Sequence, residues 1–273
     1  MIFRIGIVQF RSGRYEIEDN MSRAEERIRE AADRGADLVV LPEDVVAGIG
    51  PDMKKHADAD GAYRGRFREL AAEYGVDLVP GSWQEKEEGR FYNTTYYIDR
   101  SGEVLARYRK VHLWISEKSY ATPGEGAVVA DGRLGRVGLA ICWDLAFPGL
   151  FREMFRQGAD VAVCSACWAL EDAGAGQERE RTAEQVFIDA CCTARAFENE
   201  MAMVFCNAAG TWEGSRGPCT SAGHSQLAMP FLGPVDTVEH NREAVLVADV
   251  DTAVLDESER SYQIKKDLLD AED

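Results

Sequence analysis

Val137-Gly138-Leu139-Ala140-Ile141-Cys142-Trp143-Asp144, followed by Phe147-Pro148-Gly149, is the stretch that decides the fold. The unbroken apolar run 137–141 reads as a strand covered on both faces. Gly149-Leu150-Phe151-Arg152-Glu153-Met154-Phe155 reads as the helix that follows it, over about 149–157. A cysteine at such a strand-to-helix turn is expected to be partly exposed, with the helix dipole favouring its thiolate. The thiolate is the nucleophile of covalent catalysis. The other reading of a single cysteine is a small buried hydrophobe.

The same logic extends outward. Asp37-Leu38-Val39-Val40-Leu41 is a second central-strand run, and Val161-Ala162-Val163 belongs to a third. Before the first of these, Ile17, Met21, Ala24, Ile28 and Ala31 recur at helical spacing and Gly35 ends the pattern. Further helices are expected over about 62–74 and 181–199. Strands are expected near 3–10, 76–83, 93–99, 103–109, 127–130, 201–207, 223–229 and 243–249, with a hairpin turn at Arg100-Ser101-Gly102. Strands and helices alternate without a repeat or linker, so residues 1–255 read as one α/β domain. Residues 256–273 read as a polar C-terminal tail that wraps the surface or packs on a partner subunit.

Composition narrows the function. The chain has 273 residues, 45% of them hydrophobic, which suffices for a sizeable core. Its net charge of −17 argues against nucleic acid or an anionic membrane as partner. No run of about 18 apolar residues exists, so no membrane span is expected. The opening Met1-Ile2-Phe3-Arg4-Ile5-Gly6-Ile7 reads as a strand and not a signal peptide. Seven cysteines, an odd count spread through apolar runs, fit free thiols in a reducing cytoplasm.

Two further residues stand where chemistry is done. Glu43 follows Leu38-Val39-Val40-Leu41-Pro42 at the C-terminal end of a central strand, where sites in open α/β sheets collect. It can act as general base to a thiol, or be a solvated loop residue. Lys110 lies between Val104-Leu105-Ala106-Arg107-Tyr108-Arg109 and Val111-His112-Leu113-Trp114. It can steady an oxyanion, or be an ordinary strand-end lysine.

No spacing rule links Glu43, Lys110 and Cys142, but a resemblance does. Leu41-Pro42-Glu43, then Tyr108-Arg109-Lys110-Val111-His112-Leu113, then Cys142-Trp143-Asp144 with Phe147-Pro148, resemble in order the three signatures of the nitrilase (carbon–nitrogen hydrolase) superfamily. Tyr92-Asn93-Thr94, Thr122-Pro123-Gly124, Arg195-Ala196-Phe197-Glu198-Asn199 and Gly223-His224-Ser225 are similar to the family elsewhere. The resemblance implies an αββα sandwich that dimerises. It implies Cys142 as nucleophile, Glu43 as general base and acid, and Lys110 with the Trp143 amide as oxyanion stabilisers. It also implies a second glutamate, best matched by Glu117, and no metal or organic cofactor. Trp143, Phe147 and Trp168 are expected to shape the substrate pocket, with walls from about 83–92, 168–185 and Trp212.

The expected activity is hydrolysis of a small amide or N-carbamoyl compound through a thioester, releasing ammonia or an amine. A nitrilase acting on nitriles is the alternative within the chemistry. From another class, Cys164-Ser165-Ala166-Cys167 raises a thiol redox or binding protein, although the pair closes a strand where a redox motif opens a helix. The C-x-x-C spacing is not repeated elsewhere for zinc. His112 and His224 are isolated, and His112 is expected to orient the lysine segment. Apolar faces at Phe147, Leu150 and Phe151, and at Val186, Phe187 and Ile188, are expected to meet a symmetry mate.

Overall fold

Alternate side chains of the central strands are buried on opposite faces, and this sets the layering. In Leu38-Val39-Val40-Leu41 every side chain is fully buried. Leu38 and Val40 enter one hydrophobic cluster while Val39 and Leu41 enter another. A computed structural model describes residues 1–214 and 217–270. The elements run β1 (Ile2–Gln9), α1 (Ile17–Asp33), β2 (Leu38–Val40), α2 (Ala62–Tyr74), β3 (Asp77–Val79), β4 (Trp83–Glu87), β5 (Arg90–Ile98) and β6 (Val104–Arg109). They continue with β7 (Val129–Gly132), β8 (Gly135–Ile141), α3 (Pro148–Arg156), β9 (Val161–Ala166), α4 (Ala183–Asn199), β10 (Ala202–Asn207), β11 (Thr211–Gly214) and β12 (Gly217–Thr220). The chain closes with β13 (Gln226–Met229), β14 (Gly233–Thr237), β15 (Ala244–Asp251), α5 (Ala253–Tyr262) and α6 (Ile264–Asp270).

One sheet has the order β15-β1-β2-β3-β5-β4, with β6 also paired to β5; the other has the order β14-β13-β10-β9-β8-β7. β1, β2 and β3 are parallel, as are β8, β9 and β10. The sheets face each other through Ile5, Ile7, Val79 and Tyr97 from the first and Leu139, Ile141, Val163 and Val204 from the second. α1 and α2 cover the outer face of the first sheet through Ala24, Ile28, Phe67 and Leu70. α3 and α4 cover the second through Phe151, Met154 and Ile188. The four layers form the expected αββα sandwich. The approach of α3 is close: a Cβ on Gly138 would lie 2.6 Å from Met154 Sδ.

Several expectations change here. The predicted strand 76–83 stops at Val79, and the segment 83–92, expected as a pocket loop, is the β4–β5 hairpin. Its turn, Glu88-Gly89, has both residues at positive φ (49° and 78°), as a two-residue hairpin requires. Residues 256–270 are helical, and α5 runs across the expected boundary at 255. Leu255 and Ser258 are buried, and Leu268 packs against the body's core. Of the apolar residues expected at a two-fold contact, Leu150, Phe151 and Ile188 lie in the chain's own core, while Val186 is 58% exposed. No helix among the described residues is long and apolar enough to cross a membrane.

Candidate active site

The C-terminal ends of β2, β8 and β9 bring the chemistry together. The Glu43 N–H donates to the Ala166 carbonyl at 3.3 Å, tying the end of β2 to the end of β9 in the opposite sheet. The Cys167 N–H returns to Glu43 Oε2 at 3.0 Å. Gly81 permits the loop after β3 to close on this turn: with φ +75, its missing Cβ would lie 2.0 Å from the Pro42 carbonyl oxygen.

Lys110, at the end of β6, is 1% exposed. Its ammonium lies 2.8 Å from Glu43 Oε1 and 2.7 Å from Glu117 Oε2. Asn93, on the neighbouring β5, donates from Nδ2 to both Glu43 Oε1 and Glu117 Oε1, each at 2.8 Å. The Trp114 N–H donates to Glu117 Oε2 at 2.7 Å. The sequence offered Asn93 only as part of a supporting match. Its signal was a carboxamide in the aromatic strand Phe91-Tyr92-Asn93-Thr94-Thr95-Tyr96-Tyr97.

Cys142 opens a 3₁₀ turn, Cys142–Ala146, with φ +48. For a residue with a Cβ this conformation costs roughly 1–2 kcal/mol and needs surroundings that enforce it. Asp144 supplies them. This fully buried carboxylate accepts from the Ile141 N–H (2.9 Å), the Tyr108 hydroxyl (2.6 Å) and the His112 N–H (2.8 Å). His112 Nδ1 lies 2.9 Å from the same carboxylate, and the imidazole stacks on Phe147 with centroids 3.8 Å apart. His112 therefore fixes the segment after Lys110 to the elbow of Cys142.

The electrostatics correct one expectation. Cys142 is 9% exposed, and its thiol is held well above the usual range. Burial is the main cause and the Glu43 charge adds to it; Lys110 pulls the other way. Desolvation outweighs any helix dipole, so the resting sulfur is a thiol. Glu43 is raised by burial and by Glu117, with Lys110 opposing. Burial works against the Lys110 charge, but Glu117, Glu43 and Cys142 together hold its pKa well above normal. The Cys142 thiol and the Glu43 carboxyl lie close enough for each to act on the other's proton affinity.

A narrow cleft of about 20 Å³ opens at this centre, lined by Glu43, Asp44 and Cys167 with Arg11, Thr211 and Trp212 toward the rim. Trp143, Phe147 and Trp168, expected in the pocket, instead form an aromatic cluster behind the elbow. Trp143 and Trp168 lie 5.5 Å apart, Trp168 meets Phe187 and Phe205, and its Nε1 donates to Glu184 at 2.5 Å. Cys164 is fully buried with its Sγ toward the Cys142 carbonyl at 3.8 Å, and Cys142, Cys164 and Cys167 are not joined by a disulfide.

Residues 4–260 match the family described as carbon-nitrogen hydrolase. The chain belongs to that family. It is 27% identical to a chloroplastic omega-amidase of Arabidopsis thaliana, over 97% of this chain and 72% of that one. It is 30% identical to a hydrolase of Mycobacterium tuberculosis, over 91% and 89% of the two chains. Among solved structures, it superposes on an amidase of Nesterenkonia sp. AN1 with a TM-score of 0.79, at 25% identity over 95% and 96% of the chains. That structure, of a glutamate-to-glutamine mutant, shows the acetamide moiety of fluoroacetamide added covalently at the active-site cysteine. The chain is thus an enzyme that hydrolyses carbon–nitrogen bonds.

Proposed function

We propose that the enzyme hydrolyses small amides or N-carbamoyl compounds with a Glu43-Lys110-Cys142 triad assisted by Glu117. The observation that carries this is the Lys110 ammonium buried between two carboxylates, one of which also neighbours the Cys142 thiol. Because the thiol is neutral at rest, proton transfer to Glu43 accompanies attack on the substrate carbon. The Lys110 ammonium and the Trp143 N–H then hold the developing oxyanion. Protonated Glu43 passes its proton to the leaving nitrogen, which departs as ammonia or an amine. Water, deprotonated by Glu43, hydrolyses the thioester and frees the thiol. Acid–base assistance of this kind contributes about 10²–10⁴-fold. Asn93 clamps Glu43 and Glu117 in register and leaves the Lys110 geometry unchanged as charge moves. The omega-amidase and amidase relatives support an amide over a nitrile as substrate.

The test is ammonia release from a panel of aliphatic amides, ureido acids and nitriles, with mass spectrometry of the Cys142 peptide. An acyl adduct on Cys142 with amide turnover is expected. Turnover of nitriles alone would overturn the amide reading, and turnover by a Cys142→Ala variant would overturn the nucleophile.

The free thiols of Cys142, Cys164, Cys167, Cys191, Cys192 and Cys206 support a reducing, cytoplasmic setting. Self-association into at least a dimer is supported by exposed apolar side chains: Val186, Leu232 (60%) and Tyr262 (49%). Light scattering at micromolar concentration checks it, and a monomer would refute it.

A further inference from the structure

Asp44, directly after Glu43, carries two kinds of strain with no structural return. It is 7% exposed, and its backbone lies in the left-handed region at φ +53. Its Oδ1 has no hydrogen-bond partner among the described residues. The Gln84 carboxamide reaches toward it, 3% exposed, and both Gln84 amide atoms are also unpartnered. Asn93, paired with Gln84 across the β4–β5 ladder, leaves its Oδ1 unpartnered as well. Buried polar atoms in folded proteins are nearly always satisfied, and several orphans side by side mark a place that a ligand or water completes. Asp44 lines the cleft beside Glu43 and Cys167, so its unpartnered carboxyl borders that space, with Gln84 behind it.

The charges around that space are unequal. Glu43, Glu117 and Asp44 bring three buried carboxyls, and Lys110 is the buried cation among them. Arg11 stands at the rim, its Nε toward the Thr211 carbonyl at 3.4 Å. Asp172 adds a further acid near Cys167. With every carboxyl ionised, the centre lacks a positive charge. Burial first, and then the charges of Glu43 and Glu117, push the Asp44 carboxyl well above the usual range. A cation entering the cleft favours its ionised form.

We propose that Asp44 sets substrate specificity by pairing with a terminal primary ammonium on an amide or ureide, with Gln84 as second acceptor. This rests on the amide-hydrolase reading of the same site. A neutral tail leaves the Asp44 carboxyl and the Gln84 carboxamide oxygen without a donor, and such losses discriminate strongly between substrates.

The experiment compares kcat/KM for two matched straight-chain amides, one ending in a primary amine and one in a methyl group, on wild type and Asp44→Asn. Asparagine keeps the side-chain shape and tolerates the left-handed backbone better than most residues, so the turn is preserved. The wild type is expected to prefer the amine-ended amide by about ten-fold or more, and Asp44→Asn to lose that preference through a raised KM for that substrate. Inhibition of the wild type by butylammonium, weak or absent with butanol, gives a readout independent of the variant's folding. An unchanged preference in folded Asp44→Asn, a wild-type preference for the neutral amide, or equal inhibition by both probes would overturn the role of Asp44 while leaving amide hydrolysis standing. Absence of amide turnover together with no adduct on Cys142 would remove both.

Discussion

The Tyr108 hydroxyl donates to Asp144 Oδ2 at 2.6 Å, and this bond joins the two sheets at the reaction centre. Tyr108 stands two residues before Lys110; Asp144 stands two residues after Cys142. The bond therefore fixes the distance between the ammonium and the thiol, although neither partner belongs to the triad. Tyr108→Phe should lower stability by about 2 kcal/mol, the range for a hydrogen bond to a charged acceptor. Its kcat should fall further than the lost stability explains, because the oxyanion donor drifts from the sulfur. Urea denaturation alongside single-turnover kinetics checks both, and a folded variant with unaltered acylation rate would detach this bond from catalysis.

Thiol reactivity should separate the neighbours of Cys142. Burial and the Glu43 charge raise the thiol pKa, and Lys110 lowers it. Iodoacetamide should therefore alkylate Cys142 slowly in wild type near pH 7, with the rate still climbing above pH 9. Glu43→Gln removes a negative neighbour and should shift the profile to lower pH; Lys110→Ala should shift it to higher pH. Circular dichroism must first confirm that Lys110→Ala is folded, since two buried carboxylates lose their cation, a change worth about 3–5 kcal/mol. A Lys110→Ala profile matching wild type would mean that the ammonium does not act on the thiol.

Asn93→Ala should weaken the triad without removing any member of it. Asn93 Nδ2 holds Glu43 and Glu117 together, so its loss frees both carboxylates to rotate about Lys110. A loss of roughly 10²-fold in kcat is expected, the usual scale for a misplaced catalytic group. Asn93→Asp should do worse, placing a third carboxyl against the pair. Steady-state kinetics decide it: kcat within two-fold of wild type, on the same scale, would leave Asn93 a purely structural residue.

The sandwich was legible because its signals are local. Continuous apolar runs such as Leu38–Leu41 and Val137–Ile141 can only be strands covered on both faces, and Gly35 and Gly75 stand where α1 and α2 end. Glu43, Lys110 and Cys142 were legible through family motifs, and the structure brings them together with Glu117. What stayed hidden depends on tertiary approach. Nothing in Trp143-Asp144-Leu145 tells that Asp144 collects donors from β6 and from His112. The thiol's protonation was misread because sequence shows a nearby helix start but not the burial that outweighs it. Trp143, Phe147 and Trp168 were placed at the pocket on family likeness, whereas ring packing among themselves draws them behind the elbow. The hairpin β4–β5 was missed because Gln84-Glu85-Lys86-Glu87 carries the polar pattern of a sheet edge.

The C-terminal helices should make stability depend on pH. Glu200, at the end of α4 with φ +47, receives the Ser258 hydroxyl of α5 at 3.2 Å and lies against Glu259. Burial, followed by the hydrogen bond and charge of Glu259, raises the Glu200 carboxyl to about 7. In the unfolded chain the same group titrates at about 4.3. The folded protein therefore binds this proton more tightly. The associated stability is fully present below about pH 4.3 and is lost as pH rises through about 7. Glu200→Gln imitates the protonated form and cannot repel Glu259. It should match wild type near pH 5 and exceed it at pH 8, by about 1 kcal/mol once solvent screening is allowed for. For a chain of this size that is roughly 2–4 °C in Tm. Carboxylates other than Glu259 titrate identically in both proteins, so the difference between the two melting curves, followed from pH 5 to 8, isolates the Glu200–Glu259 pair. A difference that stays constant with pH would show that Glu200 and Glu259 do not share a proton at the junction of α4 with α5.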